Sequence, residues 1–314
     1  MKILVTGGAG FIGRWVVQKL LGQGHLVYVL DDFSNSSPAN LAEFQDDPNL
    51  TILVGDVSDF ATVSRLLAAR FAVCLHLAAR INVQSSIDSP GTTFAVDVGG
   101  TYNVLEAARR TGTKVVFVST CMVYAPGDAT IAINEEHPRK PASPYAGAKL
   151  AAEALVQSYF YAYGLPTVIL RPFNTYGPFQ RADAEGGVVA IFVKRFLEGR
   201  DLEVFGDGWQ TRDLLYVEDC AEFITRAAFC ERAHGEILNA STGRDIAIRE
   251  LALLIAGMPE KIRFVPHRHP QSEIKKLAGD YSKAKNLFGW QPKTSLEEGI
   301  AKTLAWFKGG VACG

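Results

Sequence analysis

Residues 6–13 read TGGAGFIG, directly after the short apolar run Ile3–Val5 and directly before Trp15–Leu21, whose apolar residues recur at helical spacing. Missing side chains at Gly7, Gly10 and Gly13 let the turn close, let the backbone approach a pyrophosphate and let the helix pack close to the strand. The helix opening there points free N–H groups at the anion. Asp31 follows at the end of the second run, Val27–Leu30, where a carboxylate can accept hydrogen bonds from the adenosine ribose hydroxyls. A carboxylate there repels a 2′-phosphate, so the unphosphorylated dinucleotide NAD is favoured. Asp56 in Gly55–Val57 ends the third run, where it can accept from the adenine amino group or serve as an ordinary turn aspartate.

The alternation continues. Runs at Thr51–Val54, Val73–Leu77, Val115–Val118 and Thr167–Leu170 are interleaved with Ala61–Arg70 and Gly100–Arg110, which are helical in spacing. Strand-helix alternation predicts an α/β fold, a Rossmann-type doubly wound parallel sheet covered on both faces. After Arg171 the pattern is punctuated by Pro172, Pro178, Gly186-Gly187, Gly206 and Gly208, with further helices expected over Val188–Leu197, Val217–Ala228, Ile248–Ile255 and Leu296–Trp306. Residues 1–173 with 212–240 are expected to form the NAD-binding domain, and 174–211 with 241–314 a smaller C-terminal α/β part that binds substrate.

Of the 314 residues 48% are apolar, enough for a sizeable core, and the formal net charge of −1 leaves no basic field for nucleic acid or a membrane surface. Small molecules are the expected partners. Cys74, Cys121, Cys220, Cys230 and Cys313 are scattered, without the spacing of a disulfide framework or a metal site. The N-terminal apolar run is too short for a signal sequence and no run reaches a membrane span, so a cytoplasmic protein is expected. His76 and Cys74, inside the run VCLHLAA, read as core residues.

SPYAGAKLAAEAL puts Tyr145 and Lys149 one turn apart on one face of a helix that Ser143 and Pro144 can start. A phenol titrates near ~10 in isolation. A lysine ammonium and a positive nicotinamide ring both favour phenolate, so this pair suits proton removal.

Taken in order, TGGAGFIG, HLAA, STCMVY, YAGAK, RPFNTYGP, TRDLLYVED and GWQPKTSLEEGI make essentially the whole chain resemble the extended short-chain dehydrogenase/reductase family, in its nucleotide-sugar epimerase/dehydratase branch. The resemblance implies a catalytic trio of Thr120, Tyr145 and Lys149, with the Thr120 hydroxyl holding the sugar hydroxyl that Tyr145 deprotonates and Lys149 also holding the nicotinamide ribose. It implies cofactor contacts at Gly7, Gly10, Phe11, Ile12, Gly13, Asp31, Asp56, Val57, Leu77, Ala78 and Ala79, besides Tyr145 and Lys149. On the substrate side it implies Asn174 against the sugar or diphosphate and Arg212 against the diphosphate. Val188 and Phe205 would flank the base, and Glu273 would meet the nucleotide ribose. The arginine of that last motif is missing from HRHPQSE, where Arg268 is a substitute; Asp97 stands where many relatives carry Asn. The helices after Pro90 and Pro144 match those that pair in the family's homodimers.

Relatives that act as 4,6-dehydratases usually carry Asp then Glu after the catalytic Ser/Thr, and UDP-glucuronate decarboxylases usually keep the Glu. This chain has Cys121 and Met122, and a thioether exchanges no proton. The reaction that needs neither acid is 4-epimerization of a nucleotide-diphosphate sugar through a transient 4-keto intermediate. Phe179 and Gln84 stand where relatives that act on UDP-glucuronate tend to present arginine, which favours a neutral sugar, a UDP-hexose, although Arg80 or Arg181 could reach a carboxylate. An atypical dehydratase or decarboxylase with Cys121 as acid, and a dinucleotide-sensing protein on the same fold, are the alternatives.

Overall fold

The computed structural model describes residues 1–126, 132–183, 187–266 and 275–309. Seven strands form one sheet: β1 (Lys2–Thr6), β2 (Leu26–Asp31), β3 (Leu50–Val54), β4 (Val73–His76), β5 (Lys114–Val118), β6 (Thr167–Pro172) and β7 (Ile237–Ala240). Their order is β7-β6-β5-β4-β1-β2-β3 and every pairing is parallel. This is the expected doubly wound sheet. All strand C-termini therefore open on one edge, and the order reverses beside β1, where such folds bind ligands.

Helices α1 (Phe11–Gly22), α2 (Phe60–Leu67), α3 (Thr101–Thr111), α4 (Pro144–Tyr163) and α5 (Val217–Phe229) cover the two faces. Alternation along each strand divides the core. Ile3, Val5, Val116 and Val118 pack with Val16, Val17 and Leu20 of α1 and Phe223 and Ile224 of α5. Their neighbours Leu4, Val115 and Phe117 face the other way, onto Val63 and Leu67 of α2, Val104 and Leu105 of α3, and Ala152 and Val156 of α4. Ser143 starts α4 as expected, its hydroxyl accepting the Ala146 N–H, and Gly164 ends it at φ 64°. The helix that begins at Pro90 widens into a π-helical turn over Phe94–Gly100 before α3.

Beyond β6, helices Val188–Leu197, Ile248–Ala256 and Leu296–Lys308 surround a parallel pair, Leu202–Phe205 with Ile262–Val265, around a separate core that includes Phe192, Val204, Leu251 and Ile300. Among the described residues no helix is long and apolar enough to cross a membrane, and no cluster of His, Cys, Asp and Glu could hold a metal ion. Cys74 and Cys220 are buried free thiols, and Cys74 is a core residue as expected.

Candidate active site

The glycine turn between β1 and α1 is built so tightly that side chains are excluded. Gly7 has φ +69°, and a Cβ there would lie 2.7 Å from the Ala78 nitrogen. A Cβ on Gly13 would lie 2.1 Å from the Gly7 carbonyl oxygen, so α1 reaches the strand only because residue 13 has none. Asp31 lies beside this turn: one carboxylate oxygen accepts the Ala9 N–H at 3.0 Å, the other the Phe33 N–H at 3.0 Å and the Ser36 hydroxyl at 2.8 Å. Asn40, which sequence reasoning missed, donates to the Ala9 carbonyl at 2.8 Å and ties the loop after β2 to the turn. Asp56 uses one oxygen on the Ser58 N–H within its own turn.

At the end of β5, Thr120 caps a single 3₁₀ turn, Cys121–Val123, by accepting the Met122 N–H at 3.2 Å. Tyr145 and Lys149 lie on the buried face of α4 as the spacing requires. Lys149 donates to the Val118 carbonyl at 3.0 Å, with its ammonium 4.8 Å from the Phe117 ring centroid. Burial pushes the Lys149 ammonium down from its ordinary range, and the Asp97 and Glu153 carboxylates oppose this. The Tyr145 phenol is pushed up, first by burial and then by Asp97, with the Thr120 hydroxyl opposing.

His76 is a satisfied core residue, as expected. Nδ1 lies 2.7 Å from the Thr6 hydroxyl and Nε2 3.1 Å from the Thr101 hydroxyl. The Thr101 hydroxyl donates to the Asp97 carbonyl at 2.5 Å, so it must accept from His76 Nε2–H; Nδ1 then accepts from Thr6, whose oxygen accepts the Ala78 N–H at 3.3 Å. The chain runs in one direction and fixes a neutral imidazole, which burial and then Lys149 push down to about 3.

Cys121 is buried beside Phe173, Tyr124 and Leu277, and burial pushes its thiol up to about 12, with Arg212 opposing. Met122 packs part-buried against the same cluster. Asn174 opens the short strand Asn174–Tyr176 with its side-chain oxygen buried and unpartnered. Arg212 donates to the Thr211 carbonyl at 2.8 Å. Asp213, which sequence reasoning passed over, pins this corner: its two oxygens accept from the N–H groups of Thr242, Gly243 and Gly279 and from the Thr242 hydroxyl at 2.7 to 3.1 Å. Arg80 reaches across to Asp32 at 3.2 Å and to the Ser34 hydroxyl at 2.5 Å, and Arg181 forms two bonds with Asp183 at 3.0 and 2.8 Å. Phe179 has φ +70° and packs against Trp15, Trp306 and the Arg14 guanidinium.

One cavity of about 730 Å³ runs from the glycine turn to the C-terminal part, and every site residue expected from sequence lines it except Glu273, which lies with Arg268 outside the described residues. Gly7, Asp31 and Asp56 line one end, Thr120, Tyr145 and Lys149 the middle, and Asn174, Val188, Phe205 and Arg212 the other. A glycine cradle with no room for a Cβ, followed by an acid, fits a dinucleotide; a buried orphan amide and a guanidinium at the far end fit a phosphorylated sugar.

Comparison with known proteins places this geometry in context. The family model described as GDP-mannose 4,6 dehydratase matches residues 4–303. UDP-glucose 4-epimerase of Mycolicibacterium smegmatis is 38% identical over 98% of this chain and 99% of its own. A dTDP-glucose 4,6-dehydratase of an Actinoplanes species is 34% identical over 98% of each chain. Among solved structures, Pal from Bacillus thuringiensis shares 54% identity with a TM-score of 0.96, covering 98% of this chain and 99% of that one. UDP-glucose 4-epimerase of Thermus thermophilus, solved in complex with NAD, shares 35% identity with a TM-score of 0.90 over 99% and 100%.

Proposed function

We propose, because the chain belongs to the nucleotide-sugar epimerase/dehydratase branch of the extended short-chain dehydrogenase/reductase family, that it binds NAD and catalyses 4-epimerization of a nucleotide-diphosphate hexose, most simply a UDP-hexose. The observation that carries the choice of reaction is the pair after Thr120. Relatives of this chain include dehydratases and decarboxylases as well as epimerases. Here the two positions hold a thiol that keeps its proton at neutral pH and a thioether, so no acid and base pair stands ready for elimination.

When bound, NAD would supply a reversible acceptor for the C4 hydride. Gly7, Gly10 and Gly13 with Phe11 and Ile12 would receive the pyrophosphate at the start of α1, and Asp31 would hold the adenosine ribose. Asp56 and Val57 would meet the adenine, and Leu77, Ala78 and Ala79, which line the same cavity, would flank the nicotinamide end. Thr120 holds the O4 hydroxyl. Tyr145 takes its proton and returns it after the sugar has turned over, and Lys149 orients the ribose and favours the phenolate. Asn174 and Arg212 hold the diphosphate end, with Val188 and Phe205 beside the base. Both arginines that could meet a C6 carboxylate are engaged with Asp32 and Asp183, which supports a neutral hexose.

Incubation with UDP-glucose, UDP-N-acetylglucosamine, UDP-glucuronate and dTDP-glucose tests the reading by product mass. An isomer of unchanged mass is expected, with NAD carried through purification and not consumed. Loss of water or carbon dioxide would replace this reading by the one in which Cys121 acts as acid; no conversion would leave a dinucleotide-binding protein.

A further inference from the structure

The mechanism gives Arg80 no part, yet its place in the sheet decides what it can grip. β4 and β2 flank β1 on its two sides. Arg80 stands four residues past the end of β4 and Asp32 one residue past the end of β2. A bond between them therefore crosses the C-terminal end of β1, where the glycine turn begins, over two strand spacings or about 10 Å. The Arg80 guanidinium makes that crossing: one amino group donates to the Ser34 hydroxyl at 2.5 Å and the other to the Asp32 carboxylate at 3.2 Å. Arg80, Asp32 and Ser34 all line the cavity, as do Gly10 and Phe11 of the turn. With side-chain exposures of 29% and 31%, Arg80 and Asp32 also present an outer face to water.

Both ends of the bridge are fixed by other groups. On the β2 side, Phe33 takes a left-handed φ of +55°, which residues other than glycine seldom adopt, and Asp31 holds it there by accepting its N–H. One oxygen of Asp32 accepts the Ser34 N–H at 3.0 Å and the Ser34 hydroxyl at 2.6 Å, which leaves the other oxygen for Arg80 and turns the Ser34 lone pairs outward as acceptors. On the β4 side, the Arg80 backbone N–H donates at 2.7 Å to Asp97, a carboxylate only 1% exposed in the π-helical turn Phe94–Gly100. The loops are ordered before the guanidinium spans them, so closing the bridge adds little ordering cost.

We propose that the bridge from Arg80 to Asp32 and Ser34 is a clasp across the cofactor end of the cavity, which retains bound NAD and sets the rate at which it exchanges. The turn that fits a pyrophosphate lies at the strand end that the bridge crosses, so a dinucleotide seated there is released when the bridge opens. The guanidinium also places a positive charge on the exit path of an anion. The inference rests on NAD binding and is indifferent to which sugar reaction follows.

Arg80→Met tests it, because the guanidinium is lost while the backbone N–H stays available to Asp97. The NAD-loaded protein is mixed with excess isotopically labelled NAD, and the cofactor it still holds is weighed by mass spectrometry over time. Exchange is expected to be about tenfold faster in the variant, the worth of one charge-assisted hydrogen bond. Asp32→Asn should accelerate exchange likewise, and the double variant no further than the faster single one, because both changes open one bridge. Salt should speed exchange in the parent more than in Arg80→Met, which has no ion pair left to screen there. Unaltered exchange in Arg80→Met, or accelerations that multiply in the double variant, overturns the proposal. Should Asp32→Asn fail to fold, Ser34→Ala removes the other partner of the guanidinium; a few-fold acceleration is expected, and none overturns the clasp. A protein that takes up no NAD would overturn the cofactor reading together with this inference, whereas NAD that binds but exchanges at one rate in every form overturns this inference alone.

Discussion

Glu153 and Arg171 meet through two hydrogen bonds beneath the site, with side-chain exposures of 1% and 0%. The pair also gathers Ser119, through Glu153, and Tyr124, to whose phenol Arg171 donates at 2.8 Å; that phenol donates on to Asn239 at 2.7 Å. It therefore joins the end of β5, where Thr120 begins, to α4, which carries Tyr145 and Lys149. Removing one member strands the other charge. Glu153→Ala is expected to cost about 3–5 kcal/mol in denaturant unfolding; a loss below about 1 kcal/mol would show the network to be dispensable.

Tyr145→Phe removes a single oxygen from a residue whose backbone is held by the Ser86 hydroxyl, so fold and cofactor retention should survive. Turnover should fall ~10²–10⁴-fold, the range for loss of a general base. Kinetics within a few-fold of the parent would take Tyr145 out of the mechanism.

Cys121→Ala separates the two chemistries. With the thiol near 12 it holds its proton throughout the neutral range, so the variant should lose only packing, about tenfold in turnover, with the product unchanged. Accumulation of reduced cofactor, visible in the near ultraviolet, together with a parent product lighter by one water, would move the reaction to dehydration.

Asp213 offers both oxygens to N–H donors, so Asp213→Asn turns an NH₂ toward donors and should cost at least ~1–3 kcal/mol at neutral pH. Burial raises this carboxyl to about 6, above its unfolded value of ~3.9. The folded state then binds the proton more tightly. The stability this adds is present in full below ~4 and is lost as pH rises through about 6. Melting curves across that window should slope downward in the parent relative to the variant, and parallel curves would refute the assignment.

Phe94, Tyr102, Tyr161 and Tyr163 are 62%, 48%, 76% and 58% exposed on the helices that follow Pro90 and Pro144. An apolar surface of this kind suits a two-fold partner. Light scattering should give the mass of a dimer, and Phe94→Glu should shift it toward monomer. A monomer mass for the parent at micromolar concentration would reject the assembly.

The parts of this molecule written locally were legible. Strands buried on both faces read as continuous apolar runs, and the glycine turn, Asp31 and the Tyr145-Lys149 pair each declare themselves within a few residues. What was not legible is held by partners far apart in the chain. Glu153 finds Arg171 18 residues on, and Asp213 finds Gly279 66 residues on. The seventh strand, Ile237–Ala240, has four residues and no distinctive pattern. The surroundings of the phenol also differ from expectation: Lys149 spends its hydrogen bond on the Val118 carbonyl, and Asp97 adds a negative charge that spacing alone could not place.

The turn Cys121–Val123 makes its hydrogen bonds without its first two side chains, which contribute packing alone. Its hydrogen bonds are the Met122 N–H on the Thr120 hydroxyl, the Tyr124 N–H on the Cys121 carbonyl and the Lys140 N–H on the Val123 carbonyl. Scaffold and reactivity are thereby uncoupled at these two positions: small groups can be exchanged at 121, and groups of varied length at 122, while the backbone keeps its course. A saturation library at 121 and 122 would exchange these two side chains against one set of backbone hydrogen bonds.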